Sequence, residues 1–156
     1  MTSTPAQVKC IIRRGLRNLI DPELTPNQKN KIWSFFHSQC AYCGIVLNRE
    51  LREGHIDHLI SESAGGKNCA SNRVLACAPC NGNEKRETDW IQFLKSKCPR
   101  EDVFQARLQK IMNWQSLNPA PSAIDPEIAN IVQVEIDQLT AGFDNACSRI
   151  KSARKK

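Results

Sequence analysis

The spacing of apolar residues along the chain predicts several helices. Residues 6–19 carry apolar side chains three and four positions apart, which is the pattern of a helix with one buried face. Thr25 followed by proline is a typical helix start and predicts a second helix over 26–39. A third helix is predicted from Thr88 until Pro99 ends it.

Two longer helices are predicted in the last third of the chain. The first covers 101–117, and its buried face is expected to contain Val103, Phe104, Leu108, Ile111, Met112 and Leu117. After a linker with two prolines, Asp125 and the proline that follows it open the last helix, whose apolar positions continue to Phe143. A basic tail follows this helix and is expected to fray.

The residues between these helices have a different pattern. Short apolar runs at 45–47, 55–60 and 73–76 are bounded by glycine and polar residues, which predicts three strands. Residues 61–72 contain a pair of glycines and several polar side chains, so they are predicted to form a loop. A short helix is expected over 78–85 and slightly beyond.

These elements predict an α+β protein in which a small β-containing module is embedded in helices. We place the module at 40–87. Basic N-terminal helices over 1–39 precede it, and helices over 88–118 are expected to pack on it. The C-terminal helix and the basic tail occupy 119–156. A chain of 156 residues is expected to form one domain with helical extensions.

The charge of the chain is positive and concentrated at its two ends. Lysine and arginine number 22 against 16 acidic residues, which gives a net charge of +6. Both ends lack acidic side chains, and their basic residues are Lys9, Arg13, Arg14 and Arg17, then Arg149, Lys151, Arg154, Lys155 and Lys156. Clustered basic ends suggest a polyanionic partner such as nucleic acid, although basic ends also serve solubility alone.

The hydropathy of the chain also bears on its location. No apolar run approaches the roughly 18 residues that span a bilayer, and the N-terminus lacks a signal-peptide pattern. We therefore expect a cytoplasmic protein with no membrane partner. In that reducing compartment, its eight cysteines are expected to be thiols or metal ligands rather than disulfides.

Four of the cysteines form two pairs with the spacing of zinc ligands. Cys40 and Cys43 are separated by two residues and followed by Gly44, and Cys77 and Cys80 repeat the spacing. Two such pairs supply the thiolates of a closed tetrahedral site, so we predict one structural Zn²⁺ that joins the ends of the intervening segment. The other cysteines have no paired spacing and are expected to be ordinary thiols: Cys10, Cys69, Cys98 and Cys147.

Residues between the two pairs, together with Asn81 directly after Cys80, are suited to phosphodiester hydrolysis. This reaction needs a base that takes a proton from water and a cation that neutralises charge on the phosphate. His58 suits the base, and the oxygens of Asp57 and Asn81 suit Mg²⁺ or Mn²⁺. Adjacent strand residues point to opposite faces, so Asp57 and His58 can share one site only where the strand ends or bends.

This part of the chain resembles the HNH endonuclease family, which has a ββα-metal fold. The resemblance covers about 40–87 and rests on motifs in matching order, namely Asp57-His58-Leu59-Ile60, Gly65-Gly66, Asn72 and Cys77-Ala-Pro-Cys80-Asn81. It implies an α+β fold with a zinc-stapled ββα-metal core in flanking α-helices, and an activity as a metal-dependent DNA endonuclease.

The resemblance also implies a role for each matching residue. His58 would be the general base that activates water, and Asn72 would brace the loop that orients it. Asp57 and Asn81 would hold the catalytic cation. Asn81 stands where many family members have histidine, which favours Mg²⁺ or Mn²⁺. The alternative role of Asn81 is to cap the helix after the second cysteine pair.

Nucleic-acid contacts are expected from basic residues around the module. Lys85 lies where some family members have a further histidine, and a phosphate contact is expected there. Arg86 follows it. His55 lies on the same predicted strand face as the aspartate and either contacts phosphate or is passive. Arg13 and Arg17 share one face of the first helix, which either binds DNA or is simply solvated.

The expected substrate is double-stranded DNA, and two other functions stay open. One is a non-catalytic zinc module that binds nucleic acid. The other is a structural subunit whose last helix, with apolar positions from Ile128 to Phe143, forms an interface with a partner. The oligomeric state is open, with a dimer among the options.

Overall fold

The computed structural model describes residues 3–154, so Lys155 and Lys156 of the predicted basic tail lie outside the described residues. In chain order the elements are α1 (Pro5–Arg17), α2 (Pro26–Phe35), β1 (Gly54–His58), β2 (Arg73–Cys77), α3 (Trp90–Lys97), α4 (Glu101–Leu117) and α5 (Pro126–Ala153), with short helical segments at Glu62–Ala64, Ala70–Asn72 and Cys80–Glu84. A two-stranded antiparallel sheet within a mainly helical chain confirms the predicted α+β class.

The chain divides into two compact units. One unit contains the two ends of the chain, up to Pro22 and from Ser122 onward, and the other is Glu23–Pro121. No helix in the described part of the chain is long and apolar enough to cross a bilayer.

α1 and α5 pack against each other in the first unit. Ile136 and Thr140 of α5 are buried, and Lys9 of α1 pairs with Asp144 of α5 at 2.8 Å. Both helices were predicted, but the sequence did not indicate that they pair. α5 continues to Ala153, ten residues beyond Phe143, so most of the predicted basic tail is helical.

α2 begins at the predicted cap, Thr25, but ends before its predicted end at residue 39. Its last residue is Phe35. His37 and Ser38 follow with φ values of 52° and 53°, in the left-handed region that a right-handed helix cannot contain. This turn redirects the chain to Cys40.

β1 and β2 pair along their whole length. Gly54 lies opposite Cys77, and His58 lies opposite Arg73. Every residue of β2 is buried, so this strand runs through the core of the second unit. The pairing brings the end of β1 beside the start of β2.

The first of the three predicted strands, at 45–47, is absent. Only an isolated bridge joins Gln39 to Val46. Ile45 and Val46 are 57% and 68% exposed, and Leu47, at 5%, is the one buried residue of the run, so little of it packs as a strand face would.

The helix predicted over 78–85 is shorter and less regular than expected. It covers Cys80–Glu84, and its geometry is broken at Gly82, where φ is −101° and ψ is −108°. Arg86 then has a φ of 46°, which prevents the helix from continuing. Lys85 therefore lies at the C-terminal boundary of the segment.

α3 and α4 lie close to their predicted positions, and α4 has the predicted bounds. Phe104, Ile111 and Trp114 of α4 are buried. Met112 and Leu117 were predicted to be buried but are 50% and 69% exposed. Phe104, Ile111 and Trp114 are seven and three positions apart, so they share one face of the helix. Met112 and Leu117 lie outside that face.

One apolar core holds the second unit together. It contains residues from α2, β2, α3 and α4, together with three of the paired cysteines. Tyr42, Leu75 and Leu94 are among its fully buried members. The cysteine pairs and the sheet are therefore parts of the same packed region.

Candidate active site and metal centre

The four paired cysteines meet at one place. Their sulfur atoms all lie within 4.8 Å of one another, and Cys43 Sγ lies 3.7 Å from Cys77 Sγ. A tetrahedral zinc ion with Zn–S bonds of about 2.3 Å requires sulfur separations of about 3.8 Å. Among residues 3–154, no other group of three or more His, Cys, Asp or Glu side chains is placed to hold a metal. The cluster fits a structural metal ion.

The proximity of the thiols changes their pKa values. A hydrogen bond from Cys80 lowers the pKa of Cys40 to about 4. The same contact raises the pKa of Cys80, and burial raises the pKa of Cys43 to about 11. Ionising one thiol therefore opposes ionisation of its neighbours, because like charges repel at short distance. A divalent cation would overcome this repulsion, so the donor set fits zinc chemically as well.

A tight turn holds the first cysteine pair. Gly44 has a φ of 77° and donates its N–H to the carbonyl oxygen of Cys40 at 2.9 Å. A Cβ at this position would collide with the guanidinium of Arg107. Ala41 donates its N–H to the carbonyl oxygen of Leu75 at 2.7 Å, which attaches the turn to β2.

The Asp57 carboxylate lies inside the second unit and has two partners. Its Oδ2 accepts a hydrogen bond from Tyr42 Oη at 2.8 Å and lies 3.0 Å from Lys85 Nζ. Burial, and then the charge of Asp57, raise the pKa of Tyr42 well above its usual value, so the hydroxyl remains a donor. The Asp57 charge is thus balanced by a lysine and stabilised by a phenol.

Lys85 is not placed for the phosphate contact predicted from the sequence. Lys85 is 3% exposed, and its ammonium also donates a hydrogen bond to the backbone carbonyl of His58. A buried ammonium needs a counter-ion, and Asp57 supplies one. The side chain therefore points into the protein, where it contacts both residues of the predicted catalytic pair.

His58 lies at the end of β1 and is partly buried. Its Nε2 lies 3.0 Å from Asn68 Oδ1, which also accepts a hydrogen bond from Arg73 in β2. Because an amide oxygen only accepts, the neutral imidazole carries its proton on Nε2 and leaves Nδ1 as the acceptor. Burial, and then the charge of Arg73, lower the pKa of His58, so the ring is neutral at pH 7.

The Asn72 side chain joins β2 to the loop that follows His58. Its Oδ1 accepts from Ile60 N–H, and its Nδ2 donates to the carbonyl oxygens of Ile60 and Lys67, each at 2.9 Å. Its backbone carbonyl also accepts from Leu59 N–H at 2.8 Å. These bonds hold the two residues after His58 in one position.

The other predicted site residues are on the surface. His55, Asn81 and Arg86 are exposed on the second unit. Arg13 and Arg17 are exposed on α1, which belongs to the first unit. The surface residues are therefore accessible to a large ligand, but two of them lie outside the unit that carries His58.

Asp57 and Asn81 are the donors predicted to hold a catalytic cation. Asn81 belongs to the helical segment Cys80–Glu84, which packs against β1. The N-cap of this segment is Pro79, so Asn81 lies inside the segment and not at its cap. The alternative role of Asn81 as a helix cap is therefore wrong. Tyr42 and Lys85 both contact Oδ2 of Asp57, which leaves Oδ1 for a metal. Such oxygen donors fit a hard cation that keeps several water ligands, such as Mg²⁺.

Three residues of this site were not identified from the sequence: Tyr42, Asn68 and Arg73. The position of Tyr42 between two zinc-type cysteines was a signal for a role beside the metal. Arg73 is opposite His58 because of the strand register, which a correct pairing of β1 with β2 would have shown. Asn68 is one of several polar loop residues, and no sequence signal distinguishes it from the others.

Comparison with known proteins agrees with this geometry. Residues 40–87 match the family model described as HNH endonuclease. The match covers less than half of the chain and confirms the resemblance over the same residues. With the cysteine cluster, it indicates a nuclease domain with a metal site and a nucleic-acid substrate. Comparisons with the curated proteins and with the solved structures found no significant match.

Proposed function

We propose that the protein is a metal-dependent DNA endonuclease whose general base is His58. The observation that carries this proposal is the arrangement at the end of β1. There, a neutral histidine follows an aspartate, and Asn72 fixes the backbone beyond it. The family match over 40–87 supports hydrolysis of phosphodiester bonds as the reaction.

The orientation of His58 defines its proposed part in the reaction. Nε2 donates to Asn68, so Nδ1 takes the proton from the attacking water. Burial keeps the ring neutral at pH 7, which is the form that accepts a proton. Asn72 holds the loop behind the ring, so that the base does not move away from the water it activates.

Two kinds of metal ion have separate roles in this proposal. Zn²⁺ bound by Cys40, Cys43, Cys77 and Cys80 would be structural, because these four ligands complete its coordination. Mg²⁺ or Mn²⁺ would be held by Asp57 and Asn81. When bound, this cation would neutralise charge on the phosphate and on the departing 3′ oxygen.

Exposed basic residues are the proposed contacts with DNA. His55 and Arg86 are exposed on the unit that carries His58, and Arg13 and Arg17 are exposed on α1. The net charge of +6 favours a polyanion. A double-stranded substrate is proposed, and Lys85 is not included among these contacts because it is buried.

A non-catalytic nucleic-acid-binding module is the second candidate. The observation in its favour is the ion pair of Asp57 with Lys85, which already satisfies the carboxylate without a metal. This candidate would need the cysteine cluster and the basic surface but not the imidazole of His58.

The two candidates differ in what they do to DNA. Purified zinc-loaded protein is incubated with supercoiled plasmid in EDTA, Mg²⁺ or Mn²⁺, and binding is measured in parallel by gel shift. The endonuclease proposal expects nicked or linear plasmid only with an added cation. Binding without any cleavage in all three conditions would favour the module.

A further inference from the structure

Lys85 makes contacts that are unlike those of a surface lysine. Its side chain is 4% exposed, and its ammonium lies 3.0 Å from Asp57 Oδ2. It also donates to the backbone carbonyl of His58 and lies 5.8 Å from the centre of the Tyr42 ring. One ammonium therefore contacts the side chain of the proposed metal ligand and the backbone of the proposed base.

The neighbouring ion pair of Lys97 with Glu84 provides a contrast. Its N···O distance is 2.7 Å, but its side chains are 25% and 43% exposed, against 4% and 11% for Lys85 and Asp57. Water screens the exposed pair, so a change there has little effect on its surroundings. The buried pair is screened much less.

Because of the position of Lys85, its ammonium and the proposed catalytic cation would compete for the Asp57 carboxylate. Asp57 is the only acidic residue that the proposed cation site contains. A divalent ion on its Oδ1 would lie within a few ångströms of the ammonium on its Oδ2. Repulsion at this distance in a partly buried site is strong enough to weaken binding by roughly tenfold or more.

We propose that Lys85 is a positioning residue that holds the Asp57 carboxylate and the His58 backbone, and that it limits the affinity of the catalytic cation. This inference rests on the proposed function, because it assigns a role around that same site. Lys85 neutralises Asp57 while no cation is bound. The cation then binds tightly only when a phosphate of the substrate adds a second negative charge.

The first test compares three variants with wild type. Each protein is titrated with Mn²⁺ in the absence of DNA, and binding is measured by calorimetry or by electron paramagnetic resonance. Lys85→Gln keeps N–H donors near Asp57 and His58 but removes the charge, and we expect the Kd for Mn²⁺ to fall at least tenfold. Lys85→Arg keeps the charge, so its Kd should stay within threefold of wild type. Lys97→Gln is the matched control and should leave the Kd within twofold.

A correctly folded Lys85→Gln protein with the wild-type Kd would overturn the proposal. Cleavage assays separate this result from a failure of the proposed function. If wild type cuts DNA and Lys85→Gln binds Mn²⁺ like wild type, the Lys85 proposal alone is wrong. If Lys85→Gln binds Mn²⁺ more tightly and neither protein cuts, the endonuclease proposal alone is wrong.

A second test uses the wild-type protein and does not depend on how a variant folds. The ¹⁵Nζ resonance of Lys85 is followed by NMR during titration with Mg²⁺, together with the backbone amides of Asp57 and His58. We expect all three signals to shift with one common Kd. If the two amides respond while the Lys85 signal stays constant, Lys85 does not compete with the cation.

Discussion

Tyr42 lies between two cysteines of the metal cluster and donates its hydroxyl to Asp57 Oδ2 at 2.8 Å. Its ring also packs edge-on against Phe93, with the ring centres 5.1 Å apart. The first cysteine pair is thereby connected to the proposed cation ligand through a single side chain. The metal cluster and the proposed catalytic residues are parts of one packed structure.

Tyr42→Phe should destabilise the protein and weaken its activity. The change keeps the ring contact with Phe93 but leaves the Asp57 carboxylate without its neutral donor. A hydrogen bond to a charged group contributes about 1.5–3 kcal/mol, so the free energy of unfolding should fall by that amount. Urea denaturation of the zinc-loaded protein measures it. An unchanged midpoint would mean that the hydroxyl does not contact Asp57.

Removal of one cluster cysteine should unfold the second unit. Cys77→Ser leaves three thiolates, and a structural zinc site contributes on the order of 10 kcal/mol to folding. We expect insoluble protein, or soluble protein without stoichiometric zinc and with reduced helical signal in circular dichroism. Cys10→Ser, at an exposed position on α1, is the control and should retain one zinc per chain. A soluble and fully active Cys77→Ser protein would show that the cluster is not structural.

Asn72→Ala should loosen the loop that follows His58. It removes three hydrogen bonds to the backbone and leaves the Ile60 amide without its acceptor, which should cost about 2–4 kcal/mol. Hydrogen exchange at the Ile60 amide should become faster, and cleavage should slow at least tenfold. Asn130→Ala, at an exposed position of α5, should change neither. Protection of the Ile60 amide at the wild-type level would contradict the bracing role of Asn72.

The pH dependence of cleavage should reflect the environment of His58. Burial and the charge of Arg73 lower the pKa of this histidine from its usual value near 6.5. The base is inactive when protonated, so kcat/KM should fall as the pH drops through this lowered pKa and should still be high at pH 6.5. A profile of kcat/KM against pH with saturating cation checks this prediction. NMR titration of the imidazole ring shows whether the pKa in the profile belongs to His58. An acidic limb above pH 6.5 would show that His58 is not buried as described.

The features that could be predicted from the sequence depend on local spacing or on ligand chemistry. The cysteine pairs have a spacing that suits one metal ion, and they do cluster. α4 carries apolar residues at helical spacing, and its predicted bounds were confirmed, although two of the predicted buried residues are exposed. A strand was predicted at the aspartate–histidine pair and is present, but it ends at His58 and not at the predicted residue 60.

The features that were missed depend on contacts between distant parts of the chain. Tyr42, Asp57 and Lys85 come together only when the paired strands β1 and β2 pack against the turn of the first cysteine pair. No local sequence pattern predicts this contact. The run at 45–47 has strand-like residues, but nothing in its own sequence shows that a pairing partner is lacking. The pairing of α1 with α5 joins the two ends of the chain, and apolar periodicity gives no partner for either helix.

The most direct test of the central claim compares wild type, His58→Ala and His37→Asn on supercoiled plasmid with saturating Mg²⁺ or Mn²⁺. His37 is exposed in the turn after α2, where asparagine tolerates the left-handed backbone, so His37→Asn controls for loss of a histidine. We predict that wild type and His37→Asn cut at similar rates. His58→Ala should fold, bind DNA and cut at least a hundredfold more slowly. Cleavage by His58→Ala at the wild-type rate would show that this residue is not the general base.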